Sequence, residues 1–227
     1  MRRGLKGQFR LGMQPGNATV APILSIALAK KAPLLQQSIL IANFPSLLRA
    51  IRDHEVDTAL AYLDNLTGEK FDTHLLYREQ FFLFQTGNVK RPPSVTWDDL
   101  LTRPLCLLNA SLPDIAHSRL AQSTTHGIRT DSMDVVAAQI ATGKYSAVLP
   151  QSLAGHLAQI PRLQAIAIKG PGSRASVGFI AGKNAFDAPS LRAFLELVVS
   201  PELAARLRAV VSVDRRLRPK KTAPGAR

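Results

Sequence analysis

Side chains that could carry chemistry are sparse in this chain. The five histidines, His54, His74, His117, His126 and His156, are not paired at metal-ligand spacing, and Cys106 is the only cysteine. A structural zinc site therefore lacks ligands. No Gly-x-Ser-x-Gly or Gly-x-Gly-x-x-Gly run occurs, and Gly143-Lys144 lacks the upstream Gly and following Ser or Thr of a phosphate-binding loop. No catalytic residue, cofactor or metal is expected. What recurs instead is a polar or turn-forming group where a helix should begin. These groups are Gln14-Pro15-Gly16-Asn17, Asn43-Phe44 ahead of Pro45, Asn109 to Asp114 with Ser111, Ser132, and Pro150-Gln151-Ser152. A helix N-terminus presents unpaired N–H groups and the positive end of its dipole, so it attracts anions. Ser132 has N-cap chemistry, with Asp134 in the first turn and Gly143 just past the end. A plain cap at Ser132, and ordinary loop roles for Asn17 and Asn109, explain those residues equally well.

The elements that must position these groups alternate in type. A strand at Phe9 to Met13 is broken at Gln14 to Asn17 and followed by a helical pattern, Val20, Ile23, Leu24, Ala27 and Leu28, closed by Pro33. A strand at Ser38 to Ala42, a helix led by Pro45 with Leu47, Leu48 and Ile51 as its buried stripe, and a strand at Val56 to Tyr62 come next. Leu75 to Phe84 is a further apolar strand, and the polar stretch from Gly87 to Ser94 marks a boundary. The pattern then restarts, with strands at Leu105 to Leu108, Gly127 to Thr130, Ser146 to Leu149 and Leu163 to Ile168. Helices at Asp114 to Gln122, Ser132 to Thr142 and Ser152 to Ala158 separate them. A strand at Ser176 to Ala181 and a helix at Pro189 to Val199 close the chain. Strand–helix–strand repetition implies crossovers and mainly parallel sheets in two α/β units, with ligands at the C-terminal strand ends.

Composition narrows the partners. Of 227 residues, 46% are hydrophobic and 20% charged, enough apolar material for a core. The net charge of +13 is uneven: residues 1–10 carry +4, residues 206–227 carry +7, and the long body between them only +2. The excess thus sits at the ends, where it gives at most weak, salt-sensitive attraction to DNA or anionic membrane, and a solvated tail explains it as well. The N-terminus has no apolar signal segment and no run reaches the length of a membrane span, so a cytoplasmic setting without membrane contact is expected.

Several landmarks, in order, resemble the effector-binding domain of LysR-type transcription regulators. They are the entry Arg3 to Gly12, the loop and helix Pro15 to Leu24, the run Leu47 to Leu60 containing Glu55-Val56-Asp57-Thr58-Ala59, Thr130-Asp131-Ser132, and Ala147-Val148-Leu149-Pro150-Gln151-Ser152-Leu153-Ala154. The resemblance implies a type-2 periplasmic-binding-protein-like fold of two Rossmann-like lobes. Lobe I would hold residues 8–84 plus 182–205 and lobe II residues 85–181, after a linker end at 1–7 and before a basic, disordered tail at 206–227. Hinges would lie near Phe84 to Asn88 and Val177 to Ala181. It implies a small-molecule effector, anionic by the helix-start argument, in the interlobe cleft at Gln14, Pro15, Gly16, Asn17, Asn43, Phe44, Asn109, Ser111, Ser132, Pro150 and Gln151. The family shows Ser or Thr near Phe44, which has no hydroxyl, so Asn43 is the polar candidate there. The resemblance also implies a homodimer or tetramer pairing residues 18–31 and 37–42 with 113–124. Promoter DNA would be reached only through the family's N-terminal helix-turn-helix, which this chain lacks. The alternatives are a solute-binding protein or an enzyme on the same two-lobed fold.

Overall fold

A computed structural model describes residues 6–68, 70–87, 92–121 and 127–211. Residues 212–227 of the expected basic tail, and Asn88 of the first expected hinge, lie outside the described residues, whereas residues 206–211, expected to be disordered, are helical because Leu207 and Val211 pack into the core. The chain opens with β1 (Gly7–Met13), a 3-10 turn at Pro15–Val20, α1 (Ala21–Lys31), β2 (Leu35–Ile41), α2 (Phe44–Arg52) and β3 (Thr58–Tyr62). β1 pairs in parallel with both β2 and β3. α2 starts where the sequence says it should: Asn43 Oδ1 accepts from the Ser46 N–H at 2.9 Å, with Pro45 in the first turn. A 3-10 turn at Leu63–Asn65 leads into β4 (Phe71–Thr86).

The second half contains β5 (Ser94–Thr96), α3 (Asp98–Leu101), β6 (Cys106–Leu108), α4 (Asp114–Leu120), β7 (Ile128–Thr130), α5 (Met133–Ala141) and β8 (Ala147–Pro150). A 3-10 turn at Gln151–Leu157, β9 (Leu163–Lys169), β10 (Arg174–Gly182), α6 (Pro189–Val198) and α7 (Pro201–Val211) follow. The main sheet runs β2-β1-β3-β10-β4-β9-β5, with β8 also on β4, while β6 and β7 form a small parallel pair. The sheet is mixed. Parallel pairing holds for β1–β2, β1–β3, β5–β9 and β6–β7, whereas β4 and β10 run antiparallel to their neighbours. The reason is topological: β4 carries the chain out of the first half and β10 brings it back.

β4 belongs to both halves. Its residues to Gln80 pair with β10, and from Phe81 onward it pairs with β8 and β9. A bulge in the β4–β10 ladder shifts the register between Val177 and Gly178. Gly178 is required there, because a Cβ would lie 2.5 Å from the His74 carbonyl oxygen and 2.7 Å from Leu63 Cδ1.

The largest core runs through both halves, joining Leu11, Leu24, Tyr62, Phe81, Val177 and Phe194 to Leu107, Leu112 and Ile166. α2 covers the other sheet face with Leu47, Ala50 and Ile51, and Cys106 packs with Phe84, Val136 and Ile140 in a third cluster. The α1 stripe Val20, Leu24 and Ala27 is buried within the chain's own core, while Ile26 is 52% exposed. Among the described residues, no helix is long and apolar enough to cross a membrane.

Candidate functional site

The turn after β1 is fixed from within. Gln14 is buried, its Oε1 accepting from the Tyr62 N–H at 2.8 Å and its own N–H donating to the Leu60 carbonyl at 3.1 Å. This hydrogen bonding places the Pro15–Val20 turn against the second half. Gly16 is the point of closest approach: a Cβ there would meet Tyr62 Oη at 2.7 Å and the Ser111 carbonyl oxygen at 3.0 Å. Four contacts close the junction between the halves. The Tyr62 hydroxyl donates to the Ser111 carbonyl at 2.9 Å, and the Ser152 hydroxyl donates to the Gly16 carbonyl at 3.3 Å. The Asp114 N–H, at the start of α4, donates to Asn65 Oδ1 at 2.9 Å. Gly16 itself abuts Ser111.

Within this junction several buried polar atoms find no partner. Asn17 is fully buried, and neither its amide oxygen nor its nitrogen is hydrogen-bonded; Thr19 Oγ1 in the same turn is also unpartnered. Buried polar groups are normally satisfied, so each such atom asks for an explanation. Glu79 of β4 is the one buried carboxylate among the described residues. Its oxygens lack a hydrogen bond of good geometry. Burial pushes its pKa up to about 7, partly offset by the neighbouring polar groups of Ser152 and Tyr62. Tyr62 and Tyr77 are held well above the ordinary phenol range, first by burial and then by the Glu79 charge.

The expected site residues fall into groups. Gln14, Pro15, Gly16, Asn17 and Ser111 meet at or beside the junction; the Ser111 hydroxyl is taken up by the Leu108 carbonyl at 2.8 Å. Pro150 is buried at the end of β8, opposite Phe81. Gln151 lines a groove beside Arg78 and Arg174 that Glu79 also borders. Asn109 donates to Asp131 Oδ1 at 3.1 Å, and Ser132 caps α5 by accepting from the Val135 N–H at 3.3 Å. Asn43 is the exposed cap of α2, and Phe44 sits in the core beneath that helix. Sequence reasoning missed Tyr62 and Glu79. A signal existed: Tyr77, Glu79 and Phe81 recur at period 2, which puts a carboxylate between two aromatics on one strand face. Among the described residues, no group of three or more His, Cys, Asp or Glu side chains could hold a metal ion.

Comparison with known proteins agrees with this architecture. A sequence model of the LysR substrate binding domain matches residues 2–200. No curated protein sequence matches the chain. Among solved structures, full-length OxyR from Pseudomonas aeruginosa, in a mutant form, is similar at TM-score 0.72 and 17% identity, over 89% of this chain and 70% of that one. An OxyR mutant from Corynebacterium glutamicum gives TM-score 0.73 and 18% identity over 92% and 67%. The sulfate-bound regulatory domain of an OxyR2 mutant from Vibrio vulnificus gives 0.69 and 17% over 91% and 99%. At these identities the likeness carries the fold, which is of the type-2 periplasmic-binding-protein-like kind.

Proposed function

Because the chain belongs to the LysR substrate-binding-domain family and is the effector-binding sensor domain of a LysR-type regulator, we propose that its effector is a small anion received where the two halves meet. Asn17, Ser111 and Ser152 would surround it, and Gln14, Pro15, Gly16 and Pro150 would shape the walls. The observation that carries this is Asn17, whose buried amide has neither donor nor acceptor engaged. A ligand that parts the Gly16–Ser111 contact would satisfy it. Asn43, Asn109 and Ser132 are outer candidates, since each already makes a local hydrogen bond. Phe44 would act through the packing of α2, and Gln151 through the groove beyond.

Anionic character is supported by the turn and helix starts that converge there and by Glu79. With its pKa near 7, Glu79 can stand as a neutral acid and donate toward a ligand carboxylate. An anion would favour the protonated form further, so affinity should fall as pH rises through about 7. The test is calorimetry or thermal shift with small carboxylates and inorganic anions, on the parent chain and on Asn17→Ala. Stabilisation by one of them, weakened in Asn17→Ala, is the expected result. Equal response in both proteins, or none to any anion, would refute the site.

We read the domain as a binder without catalysis. The Ser152 hydroxyl next to Glu79 is taken up by a carbonyl, which leaves no activated nucleophile there. A thiol switch has little support, because Cys106 is the only cysteine, is buried, and has its pKa raised by burial. Self-association is expected through lobe I against lobe II of a second copy. Ile26, Ile39, Leu40 and Ile41 on α1 and β2, and Ile115 on α4, are each more than 40% exposed within the expected contact ranges. A purely monomeric mass by light scattering at tens of micromolar would count against that pairing.

A further inference from the structure

The β4–β10 ribbon that joins the halves has two faces. Glu79, Ala175 and Val177 point to the buried side, where the core also holds Tyr62 and Phe81. Alternation puts Arg78 and Gln80 of β4 on the opposite face. Arg78 stands directly across from Ser176, and Gln80 from Arg174. Against this ribbon lies a groove with a volume of about 510 Å³, walled on the outer face by Arg78, Gln80, Arg174 and Ser176, bordered by Glu79 and Ala175, and closed by Asp64 from the turn after β3 and Gln151 from the turn after β8. Its lining therefore comes from both halves and from both strands that connect them.

Among the described residues, the arginines of this groove are left without ion pairs by the protein. Arg78 and Arg174 are diagonal neighbours on one face, roughly 7–8 Å apart at the backbone by strand geometry. Neither forms an ion pair among the described residues. Of the two carboxylates in the wall, Asp64 is held to the ribbon, its Oδ2 accepting from the Ser176 N–H at 2.6 Å, and Glu79 is buried. Gln80 is anchored too, donating to the Ile168 carbonyl at 3.1 Å. Two guanidinium groups thus line a groove of small-ligand size, and neither is paired with the carboxylates of its wall. We propose that this groove is a second ligand site, separate from the junction around Asn17, and that it takes a small dicarboxylate, one carboxylate on each arginine.

Occupancy would clamp the two connecting strands together, so this ligand would act on the angle between the halves. The site does not depend on the effector reading above, since Arg78 and Arg174 take no part in that reading, while Glu79 borders both. The test is calorimetric titration of the chain with malonate, succinate and glutarate, with acetate at matched ionic strength as the control. It is run on the parent and on Arg78→Gln, Arg174→Gln and Asn17→Ala, each checked for folding by circular dichroism. The expected result is dicarboxylate binding stronger than acetate, weakened about tenfold or more by either arginine change, with this arginine-dependent binding retained in Asn17→Ala. If none of the three dicarboxylates binds, or acetate binds equally well, the proposal is wrong. Binding that survives both arginine changes and is lost in Asn17→Ala would assign the ligand to the junction instead and also overturn it.

Discussion

Replacing Glu79 by Gln isolates one buried ionisation. The ordinary glutamate value is 4.5, and burial holds Glu79 at about 7 in the folded chain. The folded state therefore keeps a proton that the unfolded state has lost across the interval between those values. Stability must fall as pH rises through that window, because the unfolded state binds fewer protons there. The gap corresponds to about 3 kcal/mol, fully present as a penalty only above pH 7. Glu79→Gln removes the ionisation and keeps the shape. Its own buried amide, poorly partnered like the carboxyl it replaces, costs about 1–3 kcal/mol at every pH. The quantity to measure is the difference in unfolding free energy between the two proteins, by denaturant melts from pH 4.5 to 8.5. Other titrating groups cancel in that difference. It should shift in favour of the variant by about 3 kcal/mol from the acid to the alkaline end. Parallel curves would show that Glu79 titrates like an exposed glutamate, and that its isolation between Tyr62 and Ser152 has been misread.

Gly16→Ala should destabilise the chain by about 1–3 kcal/mol and loosen the junction, since the new methyl meets Tyr62 Oη and the Ser111 carbonyl; a lower melting temperature with faster amide exchange in the Pro15–Val20 turn is the readout. Ser132→Ala should cost about 1 kcal/mol of stability through the lost α5 cap, and comparable effector affinity if Ser132 touches ligand; a stability loss without an affinity loss would restrict it to capping. Deleting residues 212–227 removes about +5 of charge and should abolish most of any weak, sequence-indifferent DNA binding in a salt titration, with the melting temperature unchanged. Sequence-selective binding that survives the deletion at physiological salt would place a DNA-reading surface in the body of the chain.

The order of elements was legible because each half obeys local rules. Pro45 and Asn43 marked the start of α2, Ser132 marked α5, and the apolar stripes of α1, α2 and α6 marked the faces they bury. The α1 stripe could equally have served a partner; only its burial in the same core as Phe194 and Tyr62 shows that it faces inward. The long reach of β4 was not legible. Its first residues, Phe71 to His74, mix polar and apolar types without a clean period, and the bulge opposite Gly178 breaks what alternation there is. The candidate site was legible as a set of loops but not as a geometry. Asn65 capping α4 from the other half, and Glu79 beneath Ser152, depend on contacts between residues 49 and 73 positions apart, which no local pattern encodes. The pairing of Arg78 with Arg174 across the ribbon likewise needs the register of β10 on β4.

The place of β10 between β3 and β4 bears on how the molecule is made. At the ribosome, β1, α1, β2, α2 and β3 emerge early, yet the sheet they belong to gains its next strand only when residues 174–182 have been synthesised. Until then the β3 edge, Thr58–Tyr62, has no partner on that side, and the apolar face to be covered by α6 and α7 stays open. The last third of the chain is thus what completes the first. Nascent chains stopped before residue 174 should bind chaperones and resist proteolysis poorly, and protection should arrive in one late step rather than half by half.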